Sequence, residues 1–268
     1  MFIYDKGFTH AGSFHADDVF STAFLKILNP NIKITRGFVV PTNYDGIVYD
    51  IGGGEFDHHS IDRECRESGV MYAAFGKLWR AYADLIVSPY VKDAVDKELI
   101  SYLDESDNTG KRNLLSSVLY NYNGYWDEDQ SLRAQNKRFF EAVDVAKEFL
   151  LRYIEKFEAI EKAKKYVLSC YNNSKNGVVI LDKYAPWQEL LRETDTKVVL
   201  YPSNRGGWNA ERIEKSGFEF PQEWWGVRDS ELVEGLVFCH PTGFMCNFDS
   251  YENLIKAINL VLEKGVTK

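Results

Sequence analysis

Residues 46–59 read GIVYDIGGGEFDHH. Residues 46–51 form a short, mainly apolar run, and three glycines follow it directly. Such a run is typical of a buried strand in a parallel sheet, and glycines at its end are typical of an edge where a ligand binds. We therefore predict an α/β fold whose functional edge begins near Asp50.

The residues before this stretch predict the other elements of the same sheet. Apolar residues 2–4 lead into a glycine-containing segment at 7–12, and a helical pattern follows from about residue 17 to residue 28. The apolar face of this predicted helix consists of Val19, Ala23, Phe24 and Ile27. A second strand-like run lies at residues 32–35.

The residues after this stretch predict helices and then a second domain. Helical patterns occupy 71–104, divided near Ser88-Pro89, and 127–172, with a loop-like stretch at 107–112. A polar linker at 172–177 precedes strand-like runs at 177–181, 197–201 and 236–239 and a helix at 251–262. We predict an N-terminal domain at 1–172, which includes the helical segment, and a smaller α/β domain at 173–268.

Composition and charge limit the class of protein. The chain has 268 residues, of which 45% are hydrophobic, so it can bury a substantial core. It has no apolar run long enough for a transmembrane helix, and its N-terminus lacks the features of a secretory signal, so we expect a cytoplasmic protein that does not bind membranes.

None of the four cysteines lies in a CxxC pair, which predicts reduced thiols. The net charge of −8 does not favour binding to long duplex nucleic acid, although a short single strand can still reach a cleft that contains metal ions.

Four of the five histidines lie in two clusters beside aspartates. The clusters consist of His10, His15, Asp17 and Asp18, and of Asp50, Asp57, His58 and His59. Carboxylates and imidazoles crowded at strand ends repel one another or stay unpaired unless cations neutralise them. This composition predicts a metal site.

The types of ligand restrict the choice of metal. Histidine and aspartate without thiolate suit Mn²⁺, Fe²⁺ or Zn²⁺, and Mg²⁺ also remains open. Several carboxylates favour two ions about 3.5–4 Å apart, a pair that activates water and neutralises a phosphoryl group. We therefore predict two divalent ions and phosphoester hydrolysis. A zinc amidohydrolase is a weaker alternative.

These residues resemble the DHH phosphoesterase superfamily, which is named for the motif found here as Asp57-His58-His59. Residues 9–18 and 48–59 resemble the first three motifs of one branch, the melanocyte-proliferating-gene family of DHH-like exonucleases. Asp104, Asp107 and Asn108 resemble its fourth motif, although Thr109 stands where that motif has glycine. Further similar segments lie at residues 185–187, 220–221, 224–229 and 240–244, so the resemblance covers nearly the whole chain.

The resemblance implies a metal-binding N-terminal domain built on a parallel sheet with helices on both faces, a C-terminal substrate domain, and an active site in the cleft between them. It also implies manganese. One ion would be bound by His10 or His15 together with Asp50. The other would be bound by Asp17, His58 and Asp107, with Asp50 bridging the two ions. His59 would face the scissile phosphate, and Asp18 would support a ligand or replace one, so the predicted catalytic residues are His59, Asp18 and Asp50.

Five residues of the C-terminal part are candidates for binding substrate. His240 is followed by Thr242-Gly243-Phe244, a turn whose amides could receive a phosphate. Arg212 and Arg228 could pair with phosphate, and Trp208 could stack on a base, as could Trp224 and Trp225. The predicted substrate-binding residues are Arg212, Arg228, His240, Gly243 and Trp208.

The favoured function is hydrolysis of phosphodiester bonds in RNA or other short single strands, as a 3′–5′ exonuclease or an oligoribonuclease-type enzyme. Three alternatives stay open: a small-molecule phosphatase or pyrophosphatase, a cyclic-dinucleotide phosphodiesterase, and a non-catalytic binding protein stabilised by metal. The sequence does not decide the oligomeric state, for which a homodimer is one candidate.

Overall fold

The computed structural model describes residues 2, 4–59, 63–214, 216–228 and 232–265. The chain forms two compact units, Met1–Glu158 and Ala159–Lys268. The boundary between them lies inside one long helix, Leu132–Asn172. Each unit contains a β-sheet and helices, which confirms the predicted α/β class. The assignment of catalysis to 1–172 and of substrate binding to 173–268 stays a prediction.

The first unit contains a parallel sheet of three described strands. They are β1 (Lys6–His10), β2 (Lys33–Gly37) and β3 (Ile47–Val48), in the order β2-β1-β3. Helix α1 (Ala16–Leu28) connects β1 to β2. Because β1 and β3 are parallel neighbours, with Phe8 paired to Val48, the residues that follow them emerge at one edge. His10 and Asp50 therefore meet there.

Strand β1 differs from its prediction. It occupies residues 6–10, which the sequence predicted as part of a connecting segment, and Ile3 of the predicted apolar start lies outside the described residues. No strand was predicted here because the segment contains Gly7, and glycine usually weakens a strand. Here the glycine has a packing reason: a Cβ at this position would lie 2.7 Å from Ile34 Cδ1.

The helices of the first unit follow the predicted division. They are α2 (Ala74–Tyr82), a 3₁₀ turn (Ala83–Leu85), α3 (Pro89–Val95), a π turn (Asp96–Ile100), α4 (Ser101–Thr109) and α5 (Leu114–Tyr120). Ser88 caps α3 by accepting a hydrogen bond from the Val91 amide, and Pro89 occupies the first helical position. Residues 107–109, which were predicted as loop, are the last turn of α4, and Gly110 ends this helix in the left-handed conformation.

The core of the first unit forms where α1 packs on α2. Val19, Ala23 and Phe24 are fully buried, as their helical spacing predicts. Phe24 contacts Trp79 with ring centroids 5.1 Å apart, and Phe20 stacks on Phe75 at 5.4 Å. Aromatic contacts of this kind stabilise a core beyond the area that they bury. This packing determines where the ends of α1 and α2 lie.

The second unit contains a mixed sheet of five described strands in the order β4-β5-β6-β8-β7. The strands are β4 (Val178–Ile180), β5 (Val198–Pro202), β6 (Trp208–Arg212), β7 (Leu236–Cys239) and β8 (Met245–Phe248). The three predicted strands, β4, β5 and β7, are confirmed. Strands β6 and β8 were not predicted from the sequence, because each is short, with five and four residues, and β6 contains only two apolar residues.

The helices that accompany this sheet are the C-terminal part of α6 (Leu132–Asn172), α7 (Gln188–Leu191) and α8 (Tyr251–Gly265). Strand β5 buries alternate residues on opposite faces of the sheet: Val198 and Leu200 pack with Leu254 and Ile258 of α8, and Val199 packs with Val167 of α6. Among the described residues, no helix combines the length and the apolar character needed to cross a bilayer.

We expect Gly76→Ala to destabilise the first unit. The new Cβ would lie 1.9 Å from Asp104 Oδ2, a buried carboxylate that pairs with Arg66 at 2.7 Å. Overpacking of this kind costs about 1–3 kcal/mol of unfolding free energy, which exceeds the roughly 1 kcal/mol that alanine gains in a helix. Urea denaturation measures the change. The control is Gly54→Ala, whose new Cβ would meet nothing within 4 Å, and equal stability of the two variants would contradict the packing argument.

Candidate metal centre

The site is built around Asp50, which directly follows the end of the parallel sheet. Its backbone has a φ of 56°, in the left-handed region, and its amide donates to the Phe56 carbonyl at 3.0 Å. A non-glycine residue in this region is strained by about 1 kcal/mol or more and persists only where its surroundings hold it. The Asp50 side chain is 4% exposed and lies between two groups of potential ligands.

The first group consists of His10, Asp18 and Asp50. His10 Nε2 lies 3.2 Å from Asp18 Oδ2 and 3.3 Å from Asp50 Oδ2. Asp18 is fully buried, and its Oδ2 has no hydrogen-bond partner. A buried carboxylate oxygen left unbonded is costly, and a bound cation would satisfy it.

The second group consists of Asp17, His58 and Asp107. His58 Nε2 lies 3.2 Å from Asp107 Oδ2 and 3.8 Å from Asp17 Oδ2. The same nitrogen is 3.1 Å from Asp50 Oδ1. Asp50 therefore presents one oxygen to each group, which is the geometry of a bridging carboxylate.

Neighbouring elements orient these ligands. Both oxygens of Asp17 accept backbone hydrogen bonds from the first turn of α2, at 2.9 Å from the Ala74 amide and 2.8 Å from the Phe75 amide. The positive end of α2 therefore favours the negative charge of Asp17. His58 Nδ1 lies 3.2 Å from Asn108 Oδ1, and a proton shared there directs the Nε2 lone pair towards the carboxylates.

His59 differs from His58 in its exposure. Its side chain is 63% exposed, and its Nδ1 lies 2.6 Å from Asp57 Oδ1. The other oxygen of Asp57 accepts from the Gly53 amide at 2.7 Å, which fixes the carboxylate. The Nε2 atom of His59 is therefore the one left to face solvent or a substrate.

The charges of the site shift the pKa values of its members. Burial raises the pKa of Asp18 to about 7, although the charge of His10 opposes the shift. Burial and the nearby charges of Asp50 and Asp107 raise the pKa of Asp17. Burial alone would lower the pKa of His10, but Asp50 and Asp18 raise it to about 9. Burial would likewise raise the pKa of Asp50, but hydrogen bonds from His10 and His58 lower it to about 2.

These ligand groups fit divalent cations. Ligand atoms bound at about 2.1 Å in octahedral geometry lie about 3.0 Å from one another. The separations of 3.1–3.3 Å between the His10 or His58 nitrogen and the nearest carboxylate oxygens are close to that value. With several buried carboxylates around two imidazoles, the site has the negative charge and the donor atoms for divalent ions.

The structure brings His10, and not His15, to Asp50. His15 is exposed at the N-terminal cap of α1, with its ring centroid 6.3 Å from that of His10. It belongs neither to the two ligand groups above nor to a third described group, Asp50, His58 and His59, that overlaps them. The other predicted ligands, Asp17, Asp50, His58 and Asp107, and the predicted catalytic residues Asp18 and His59 all lie together.

The predicted substrate-binding residues of the second unit lie at two places in its sheet. Arg212 Nε donates to the Gly243 carbonyl at 3.2 Å, and His240 belongs to the same turn. The amides of Thr242 and Gly243 both donate to His240 within the turn. Phosphate binding by this turn stays a prediction. Arg228 lies over the Phe238 ring at 5.4 Å.

The tryptophans are mainly structural. Trp208 packs on Tyr251 with ring centroids 4.9 Å apart. Trp224 is 5% exposed and belongs to the core of the second unit. Trp225 donates from its indole nitrogen to the Phe220 carbonyl at 3.1 Å. A stacking role for Trp208 stays a prediction.

Three residues that support the site were not predicted as site residues. Asn108 orients His58, Asp57 orients His59, and Arg66 pairs with the buried Asp104 at 2.7 Å. Asp57, Asp104 and Asn108 belong to the sequence motifs, so a supporting role for them could have been predicted from the sequence. Nothing in the sequence indicated that Arg66 has a partner, because Asp104 lies 38 positions later in the chain (104 minus 66).

A family model named for MYG1 exonuclease and described as "Uncharacterised protein family (UPF0160)" matches residues 7–262. A MYG1 protein of Dictyostelium discoideum is 25% identical, over 88% of this chain and 90% of its own length. A MYG1 protein of Chlamydia trachomatis is 25% identical over 96% of both chains. A protein of Mus musculus named MYG1 exonuclease is 24% identical, over 95% of this chain and 84% of its own. No solved structure gives a significant match.

We expect MnCl₂ to stabilise the protein and Asp50→Asn to remove most of that effect. Saturation to 100 times Kd adds about 2.7 kcal/mol per site, which raises Tm by roughly 5–10 °C for a chain of this size. The variant removes the oxygen charge that both ligand groups share. Differential scanning calorimetry with and without MnCl₂ measures the shift. The exposed Asp45→Asn is the matched control; an undiminished shift in Asp50→Asn would refute the assignment of Asp50 to the metal centre.

We expect the metal-free protein to lose stability as pH rises from 5.5 to 8.5. The folded-state pKa values of Asp18, about 7, and His10, about 9, exceed their ordinary values of 3.8 and 6.5. The folded chain therefore holds more protons than the unfolded chain in this range, and its unfolding free energy falls with pH. The low pKa of Asp50 acts only below about pH 4. Calorimetry in EDTA should show Tm falling by several degrees, with a shallower slope for Asp18→Asn. A Tm that rises over this range would contradict the prediction.

Proposed function

The chain belongs to the MYG1 exonuclease family (UPF0160), and we propose that it is a metal-dependent phosphodiesterase that removes nucleotides from the end of short single strands. Relatives named MYG1 exonuclease in Mus musculus and Rattus norvegicus, each 24% identical, support a nuclease-like hydrolase. RNA is the favoured strand, and 3′–5′ is the favoured direction. Membership of the wider DHH superfamily is part of the same proposal.

One observation carries the proposal. Asp50 presents its two oxygens to two groups of ligands, at 3.3 Å from His10 Nε2 and 3.1 Å from His58 Nε2. A site for a single ion needs no such shared carboxylate. A pair of ions that share a ligand is the arrangement used for displacement at phosphorus. We therefore propose two divalent ions, with Mn²⁺ favoured.

The residues divide into those that hold the ions and those that act on substrate. His10, Asp18 and Asp50 would hold one ion, and Asp17, His58 and Asp107 would hold the other, with Asp50 shared. When bound, the ions would supply activation of water and neutralisation of phosphate charge.

His59 would contact the substrate directly. Asp57 accepts a hydrogen bond from His59 Nδ1 and thereby fixes the orientation of the ring. The Nε2 atom is therefore directed away from Asp57. When the ring also carries a proton on Nε2, that N–H can donate to a phosphate oxygen, and a donor held in this way stabilises charge that develops there without a reorganisation cost. Asp57 is thus a positioning residue that acts through His59.

A second candidate function has a specific observation in its favour. The net charge of −8 gives little general attraction for a long polyanion. This charge suits a small substrate, such as pyrophosphate or a cyclic dinucleotide, that is bound through the ions and a few cations. The same metal centre would serve either substrate.

We expect hydrolysis of a short 5′-labelled RNA in the presence of MnCl₂, and loss of at least 10³-fold of kcat/KM in Asp50→Ala. His59→Ala should lower kcat by about 10²–10³-fold and keep the Mn²⁺-induced rise in Tm, because the proposal assigns His59 to the phosphate and not to an ion. Loss of the rise in Tm in this variant would instead make His59 an ion ligand, together with Asp50 and His58. The substrate panel is labelled RNA, single-stranded DNA, a cyclic dinucleotide and pyrophosphate.

The control variant is Asp45→Ala, an exposed aspartate outside the site. Preferred cleavage of pyrophosphate or the cyclic dinucleotide would select the second candidate. Full activity in Asp50→Ala would overturn the shared-carboxylate mechanism, and a Mn²⁺-induced rise in Tm with no turnover on any substrate would indicate a binding protein.

A further inference from the structure

A cavity of about 600 Å³ opens beside the metal centre, entirely within the first unit. His15, His59 and Asp107 line both this cavity and the smaller one that contains His10 and Asp50. The two cavities are therefore neighbours that share these three side chains as walls. A group bound in the larger cavity would lie next to whatever the metal centre binds.

Part of the cavity wall is cationic, in contrast to the acidic chain as a whole. Lys111 and Arg112 line it. Lys111 Nζ lies 2.9 Å from both oxygens of Glu105, on the exposed surface. Arg112 is exposed and makes no ion pair within the described part of the chain. An exposed guanidinium at the wall of a cavity is suited to bind a phosphate oxygen in bidentate geometry.

The cavity also has an aromatic wall. Tyr120 and His15 are both exposed and line it, and their rings are parallel to within 10° with centroids 6.4 Å apart. Flat, solvent-facing rings of this kind are surfaces on which a nucleobase stacks, and stacking is tolerant of base identity. Neither ring packs into the core, so the core gives no reason for their alignment.

One polar atom of the wall lacks a partner. Ser116 Oγ is buried and has no hydrogen-bond partner, and Ser116 lines the same cavity. The adjacent Asn113 uses its side-chain oxygen to cap α5. The hydroxyl is covered in this conformation, so it can bond to a ligand only after the Ser116 side chain rotates.

We propose that this cavity binds the nucleoside that adjoins the cleaved phosphate, with the base against Tyr120 and His15 and a neighbouring phosphate at Arg112. The inference rests on the proposed function, because it places the scissile phosphate at the metal centre. It deepens that function by naming a base-binding surface in the metal-binding unit itself. Pyrophosphate, or any other substrate without a base, cannot stack on the aromatic wall.

The test compares two substrates that differ in the base. The first is a short RNA, and the second is bis(p-nitrophenyl) phosphate, a phosphodiester without a nucleobase or a neighbouring phosphate. The measured quantity is the ratio of kcat/KM for RNA to kcat/KM for the small diester. We expect Tyr120→Ala and Arg112→Gln each to lower this ratio about tenfold or more, mainly through KM for RNA. The matched controls are Tyr125→Ala and Arg133→Gln, exposed residues of the same types that do not line the cavity.

The outcomes separate this inference from the proposed function. An unchanged ratio in Tyr120→Ala and Arg112→Gln, with active wild-type protein, would overturn the nucleoside site and leave the proposed function standing. If wild-type protein hydrolyses neither substrate, the proposed function fails, and equilibrium binding of a fluorescent mononucleotide in MnCl₂ then tests the cavity alone. Weaker binding by at least tenfold in Tyr120→Ala would support the site, and equal binding would overturn it. A retained Mn²⁺-induced rise in Tm verifies that each variant is folded.

Discussion

The structure of the first unit depends on the compensation of buried negative charge. Asp17, Asp18 and Asp50 are each at most 4% exposed and lie within a few ångströms of the same two imidazoles. Carboxylates so placed raise one another's pKa values or require positive partners. Their negative charge is compensated in three ways: by histidine protons, by helix amides and, as we propose, by divalent ions.

The scaffold supplies this compensation through packing far from the ligands. The contact of α1 with α2 brings the amides of Ala74 and Phe75 to Asp17. Arg36 holds the segment that carries His10 by donating to the carbonyls of His10, at 3.1 Å, and Gly12, at 2.9 Å. The Arg36 guanidinium in turn lies 4.1 Å from the Phe139 ring. The positions of the ligands therefore follow from the core, and a change in the core would alter the metal centre.

The two exposed features beside the centre complement its acidic interior. His59 projects towards solvent with its orientation fixed by Asp57, and the cavity next to it has cationic and aromatic walls. With the proposed ions bound, the local charge would be opposite to the net charge of the chain and would favour a phosphate. In the second unit, Arg212 and His240 meet at one turn of the sheet, and Arg228 lies at another position.

The sequence by itself determined the α/β class, the helix that follows the first strand and the residue types of the centre. These features are local, since the apolar run before Asp50 and the helical spacing of Val19 and Phe24 need no distant partner. Only the tertiary structure brought His10 rather than His15 next to Asp50, placed Asp107 in a helix and paired Arg66 with Asp104. Those outcomes depend on which way each side chain points once distant elements have packed together, and a linear pattern contains no such direction.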